Sequence, residues 1–123
     1  MSVNPSIETE EDIQIIKDYT LLPILLDMLA RDMDTLKMYQ DKIVFRHVIF
    51  YLREVEDSIY SKLQSIKSKM IQQNIKVLST EMNAQGIQVE YKVRGYVHHF
   101  NMLRSLIKAE LMTMLMNLRR QIR

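Results

Sequence analysis

A mostly α fold is the prediction for this chain, and three features of the sequence make it. Its 123 residues include only 2 Gly and 2 Pro, where average usage of about 7% and 5% would supply roughly nine and six. So few turn formers cannot serve a sandwich or a barrel. Apolar residues recur at helical spacing from Phe45 to Met70 with no Gly or Pro between them. One short region, about 75–94, changes to a period of two. The expected architecture is an antiparallel bundle of three long helices, the first broken at Pro23, with one β-hairpin at about 75–94 before the C-terminal helix. At about 150 residues per domain, residues 1–123 make a single helical domain, with 1–8 a loose leader.

The first helix begins at a readable start signal. In Thr9-x-x-Asp12 the Thr hydroxyl can accept from the backbone N–H at the third position, and Glu10, Glu11 and Asp12 sit at the positive end of the helix dipole. Ile13, Ile16 and Leu21–Leu29 continue the apolar content. Pro23 lacks the N–H that a helix interior needs, so the sequence predicts a short helix at about 10–19, a kink or break at 20–22, and a second piece at about 23–38. Leu22, Leu25, Leu26, Leu29, Met33 and Leu36 form the stripe of that second piece.

A loop at 39–42 leads to the longest element. Phe45, Val48, Leu52, Val55, Ile59, Leu63, Ile66 and Met70 recur at three- and four-residue steps, which is the amphipathic helix period. The helix should run from about 43 to 73.

Then Ile87, Val89, Tyr91 and Val93 alternate with Gln88, Glu90, Lys92 and Arg94, in residue types that favour strands. Residues 75–82 are β-branched enough to be the partner strand, and Asn83-Ala84-Gln85-Gly86 supplies a turn. The register expected is Met82 with Ile87, Thr80 with Val89 and Leu78 with Tyr91. It gathers the larger apolar residues on one face and leaves Ser79, Glu81, Gln88, Glu90 and Lys92 on the other. An isolated hairpin is marginal alone, so this one must lie on the helices or pair with another chain.

After Gly95 a last helix is expected from about 96 to the end. Phe100, Leu103, Ile107, Leu111, Met114, Leu118 and Ile122 make one stripe, and Met102, Leu106, Ala109, Met112 and Met116 a second beside it. That apolar arc is wider than one neighbour requires. With 10 Met in the chain, and Met over-used where partner helices are accommodated, the second stripe points to an interface.

Charge and motif exclude several classes of function. Residues 1–41 contain nine acids and three bases, whereas 42–123 contain six acids and fourteen bases; an acidic first helix lying against basic later ones accounts for both. With no Cys there is no disulfide framework, no thiolate zinc site and no thiol nucleophile, and a reducing cytoplasm is favoured. The acidic N-terminal stretch does not read as a signal peptide. The apolar run Leu21–Leu26 is six residues, where a membrane span needs about 20, so no membrane partner is expected.

His47, His98 and His99 lack the E-x-x-H or H-E-x-x-H spacing that would hold a metal from a helix. His98 and His99 read as surface or interfacial imidazoles near a helix start. Neither Gly opens a phosphate loop, there is no G-x-S-x-G elbow, and Glu54, Glu56 and Asp57 fall on a solvated helix face. No catalytic residue, cofactor or metal ligand is assigned, and no enzyme is expected.

A nucleic-acid reading rests on element order, which is similar to that of winged-helix regulators, and on Lys62, Lys67, Lys69, Lys76, Lys92 and Arg94 as phosphate contacts. Against it, a helix-turn-helix needs a short turn that residues 43–73 lack.

Three short segments carry a family resemblance. Tyr19-Thr-Leu-Leu-Pro23 before a helix, Asn74-Ile-Lys-Val leading into a hairpin, and Arg94-Gly-Tyr-Val-His-His99 together resemble the YhjD-like small proteins of Bacillus-type bacteria. The resemblance implies a cytoplasmic bacterial protein. That family has no assigned activity, so it transfers no functional residue. The functional expectation is a non-enzymatic interaction or regulatory module that homo-oligomerises through its Met-rich C-terminal helix, with Met102, Leu106, Met112 and Met116 at the interface. The alternative is the nucleic-acid-binding regulator.

Overall fold

In the computed structural model, which describes residues 8–121, two antiparallel helices carry a three-stranded meander at one end and a shorter helix along their length. The order is α1 (Glu10–Lys37), α2 (Ile43–Gln72), β1 (Ile75–Asn83), β2 (Gly86–Val93), β3 (Tyr96–Leu103) and α3 (Arg104–Gln121). The fold is therefore mostly helical, with three helices and an antiparallel sheet in the order β1-β2-β3. Of the leader expected at 1–8, residues 1–7 lie outside the described residues.

The start of α1 follows the sequence. Thr9 is the N-cap, its hydroxyl accepts from the Asp12 N–H at 3.1 Å, and the Asp12 carboxylate accepts from the Thr9 N–H at 2.9 Å. The expected break at 20–22 is absent, and α1 continues as one helix through Pro23. Leu21, Leu22, Leu25 and Leu29 explain this, because all four are buried across the proline. An interior proline costs about 3 kcal/mol, whereas each buried Leu contributes roughly 1.5–3 kcal/mol. The packed stripe outweighs the lost hydrogen bond.

α2 begins and ends within a residue of expectation, and Val55, Ile59, Ile66 and Met70 of its stripe are buried. The β1–β2 hairpin pairs Met82 with Ile87 and Thr80 with Val89 as expected, but Tyr91 faces Val77, not Leu78. A bulge between Val77 and Ser79 inserts Leu78 as an extra residue. It lets Ile75 and Val77 stay on the core side with Tyr91 and Val93 while the outer half of the hairpin keeps its own register.

The largest departure concerns residues 96–103, expected as helix and folded as β3. Arg94 and Gly95 both have positive φ, 49° and 91°. Two such residues make the turn whose twist suits a two-residue hairpin loop. The chain therefore reverses and pairs Tyr96 with Val93, His98 with Tyr91 and Met102 with Ile87. Phe100 and Met102, expected at the head of two separate helical stripes, stand two residues apart on a strand and so share one face, opposite Val89 and Ile87.

Gly86 is fixed by closeness: a Cβ there would stand 2.0 Å from the Met102 carbonyl oxygen. On the same turn, the Asn83 side-chain oxygen accepts from the Gln85 and Gly86 N–H groups at 2.9 and 3.1 Å. The Gln85 carbonyl accepts from the Arg104 N–H at 2.8 Å, where α3 begins. One continuous core joins α1, α2, the inner face of β2, Met102, and Leu111, Met114 and Leu118 of α3.

Candidate interaction surface

α3 faces the core with Leu111, Met114 and Leu118 and half-buries Ile107 and Leu115. The turn-to-turn spacing of these residues leaves Met112 and Met116 on the opposite side, 59% and 40% exposed. Two apolar clefts run along the flanks of the helix. One, of about 250 Å³, lies between α1 and α3 and is lined by Leu25, Met28, Lys108, Leu111, Met112 and Leu115. The other, of about 200 Å³, lies between α2 and α3 among Tyr51, Leu52, Met112, Leu115, Met116 and Arg119. Met112 and Leu115 belong to both, so a ridge of side chains stands between two open apolar grooves. Lys108 and Arg119 edge the surface. Glu110, on the side towards α1, is occupied by Lys17 at 3.1 Å.

Of the four expected interface residues, this surface brings Met112 and Met116 together. Leu106 is exposed, but it sits about 120° around the helix from Met112. Met102 is corrected: it lies on β3, 5% exposed, and fills the chain's own core against Ile87. Its sequence position gave it a helical phase that the strand removes.

The six cations proposed for phosphate contact are not gathered. Lys67 and Lys69, two residues apart on α2, point to opposite flanks. Lys62 and Lys69 line an open polar groove of about 680 Å³ with Glu11, Asp18 and Asp57. Lys76 and Lys92 are direct cross-strand neighbours on the sheet. Arg94 is taken up by Asp12, its Nη2 donating to Oδ2 at 2.7 Å.

That Asp12–Arg94 pair belongs to a buried polar cluster that the sequence did not reveal. Asp12 is 2% exposed. Burial alone would raise its carboxyl above the ordinary value; hydrogen bonds from Arg94 and from Thr9, together with the Arg94 charge, more than offset this and hold it lower. Arg94 also donates from Nη1 to the Gln73 carbonyl at 3.3 Å, and its N–H donates to the Asn74 carbonyl at 2.8 Å. The start of α1, the end of α2 and the β2–β3 turn are thus tied at one point.

Next to it, the fully buried Tyr91 hydroxyl donates to the Glu8 carboxylate. Burial, the bond to Glu8, and the charges of Glu8 and Asp12 all push the phenol above its ordinary value.

The adjacent histidines, expected near a helix start, lie on β3, where successive side chains take opposite faces. His98 stacks on Tyr91 with ring centroids 5.8 Å apart, and its Nδ1 is 3.9 Å from the Glu8 carboxylate. His98 Nε2 is buried without a hydrogen-bond partner among the described residues. His99 Nε2 meets Glu90 at 3.2 Å on the outer face.

A family model described as YhjD protein matches residues 7–123. The chain belongs to the YhjD family. The match takes in every element described above, from the α1 cap to the end of α3, so the YhjD unit comprises the helical hairpin, the meander and the final helix together. No curated protein and no solved structure matches the chain.

Proposed function

We propose that this YhjD-family chain is a non-enzymatic interaction or regulatory module that pairs with a second copy through the outer face of α3. The observation that carries the proposal is the Met112–Leu115 ridge between two open apolar grooves. A two-fold contact would set the ridge of each copy against the groove of the other, and self-complementary surfaces of this kind are how most homodimers close. Met suits such a contact because its unbranched side chain adapts to a facing surface. The lack of Cys supports a reducing, cytoplasmic setting, and the resemblance noted for the sequence supports a bacterial one.

The nucleic-acid alternative draws less support. Its cations are spread over both flanks of α2, the sheet and an internal ion pair, and Lys76 beside Lys92 is the one pairing that favours it.

Sedimentation velocity tests the proposal. The wild-type chain should sediment as a dimer or larger at micromolar concentration. Met112→Glu with Met116→Glu should lower the oligomeric state while the far-ultraviolet spectrum and melting cooperativity are retained, because both side chains are exposed. A wild-type monomer at high concentration would refute it.

A further inference from the structure

A different part of the molecule carries a further inference. At the loop end of the α1–α2 hairpin, far along both helices from the sheet, large apolar side chains project into solvent. Met38 is 77%, Ile43 84% and Val44 70% exposed, and Phe50 is 56% exposed further along α2. They do not result from a loose loop. Tyr39 and Phe45 pack edge to face with centroids 5.8 Å apart, Lys42 lies over the Phe45 ring, and Arg46 Nε donates to the Gln40 carbonyl at 3.0 Å.

The charge pattern changes at the same place. Residues 42–53 contain Lys42, Arg46 and Arg53 and no acid, and Asp41 is the sole acid in 38–53. Ile43, Arg46, Phe50 and Arg53 recur at steps of three, four and three, so they share one helix face. His47 lies on that same side, and Arg53 covers the Phe50 ring at 5.8 Å. Beyond Arg53 the acids resume with Glu54, Glu56 and Asp57. Exposed apolar groups and an excess of cations, three bases to one acid over 38–53, thus coincide over one tip and one stripe.

We propose that this tip, formed by Met38, Ile43, Val44 and Phe50 with Lys42, Arg46 and Arg53, docks on an anionic membrane surface. The apolar side chains enter the boundary between headgroups and acyl chains, to a depth of about 5–10 Å, and the cations meet lipid phosphates. No helix of the described residues is long and apolar enough to cross a membrane, and surface docking requires none.

Two arguments favour a bilayer over a protein. Ile43 and Val44 point about 100° apart around α2, with Met38 on the loop beside them; a protein groove would have to wrap the tip, whereas a lipid interface receives it from every side. A second copy related by a two-fold axis would bring Lys42, Arg46 and Arg53 against their own equivalents, with Asp41 the one acid of 38–53 beside them. Anionic lipid supplies the missing charge.

The test is flotation of the full chain with vesicles of phosphatidylcholine alone and of phosphatidylcholine mixed with phosphatidylglycerol. The protein should float with the mixed vesicles only, and raised salt should release it. Ile43→Ser with Val44→Ser, and separately Arg46→Glu with Arg53→Glu, should each reduce partitioning by about tenfold or more. The Ile43→Ser with Val44→Ser variant should melt as the wild type, since both side chains are exposed. The arginine variant, which loses the Arg46 bond to the Gln40 carbonyl, should stay folded with a small drop in its midpoint. Lys76→Glu with Lys92→Glu, an equal charge change on the sheet, should float normally. Failure to float with mixed vesicles, equal flotation with neutral ones, or indifference to both tip variants would overturn the proposal. So would a wild-type oligomer that dissociates in Ile43→Ser with Val44→Ser, which would assign the tip to a second copy.

Discussion

Replacing Arg94 by Met tests what holds the sheet to the helices. The substitution keeps much of the side-chain length and removes the guanidinium that donates to Asp12 at 2.7 Å and to the Gln73 carbonyl at 3.3 Å. Asp12 would remain nearly inaccessible, with the Thr9 N–H still bonded to it. Breaking a buried pair by removing one partner costs about 3–5 kcal/mol, because it leaves an uncompensated buried charge. The Arg94 side chain is 25% exposed, which weakens its original attraction, so a loss of about 2–4 kcal/mol is expected. For a chain of this size each kcal/mol moves the melting midpoint by roughly 3–6 °C, giving a drop on the order of 10 °C.

The pH dependence has a definite sign. In the wild type Asp12 titrates below its ordinary value, so its contribution is complete above the unfolded carboxylate pKa of about 3.9 and is lost as pH falls through the lower folded value. In the variant, burial without the guanidinium raises the Asp12 pKa, and acidification relieves the penalty by protonation. The stability gap should therefore be widest near neutral pH and should narrow towards about pH 3. Thermal melts at several pH values, with Asp12→Asn completing a double-mutant cycle, measure both the loss and the coupling. An unchanged midpoint, or a gap that is the same at acid and neutral pH, would refute the clamp.

Gly86→Ala should destabilise by more than about 2 kcal/mol, beyond the usual glycine effect, because the new methyl meets the Met102 backbone and not a yielding side chain; a melt as high as the wild type would show that the turn can move aside. Tyr91→Asp should lose several kcal/mol by placing a second carboxylate beside Glu8 in a buried position, whereas Glu90→Ala on the outer face should cost less than about 1 kcal/mol. Equal losses in parallel melts would mean that both sheet faces are covered.

The elements that could be read from sequence are those whose signals are local and agree with one another. Thr9 and Asp12 form a capping pair within one turn, the α2 stripe repeats without interruption, and the β1–β2 turn has Asn83 and Gly86 at fitting positions. Sequence and structure part where a local rule competes with packing. Pro23 argues against helix on its own, yet four buried leucines around it decide the outcome. Residues 96–103 carry apolar side chains compatible with either period, and the positive φ of Arg94 was the deciding fact. Arg is not a residue that announces a left-handed conformation, although Gly95 beside it was a visible hint of a hairpin turn. The Leu78 bulge left no sequence signal, because strict alternation on β2 fits either register near Tyr91.

The candidate surfaces divide along the same line. Met112 and Met116 share an exposed face because they lie four residues apart in a true helix, and Met102 leaves that face because its segment is a strand. Asp12 and Arg94 are 82 positions apart, and no spacing rule joins them. Each had a sufficient local explanation, a cap for Asp12 and a basic hairpin for Arg94, and both explanations concealed the ion pair. The tip at 38–53 was hidden differently. Phe45 and Val48 fit the helical stripe, which accounts for the segment as a whole, while Ile43, Val44 and Phe50 lie off that stripe as exposed apolar residues. On a regular amphipathic helix the informative residues are the large apolar ones out of phase, and here they stand on the stretch of α2 that carries no acid before Glu54.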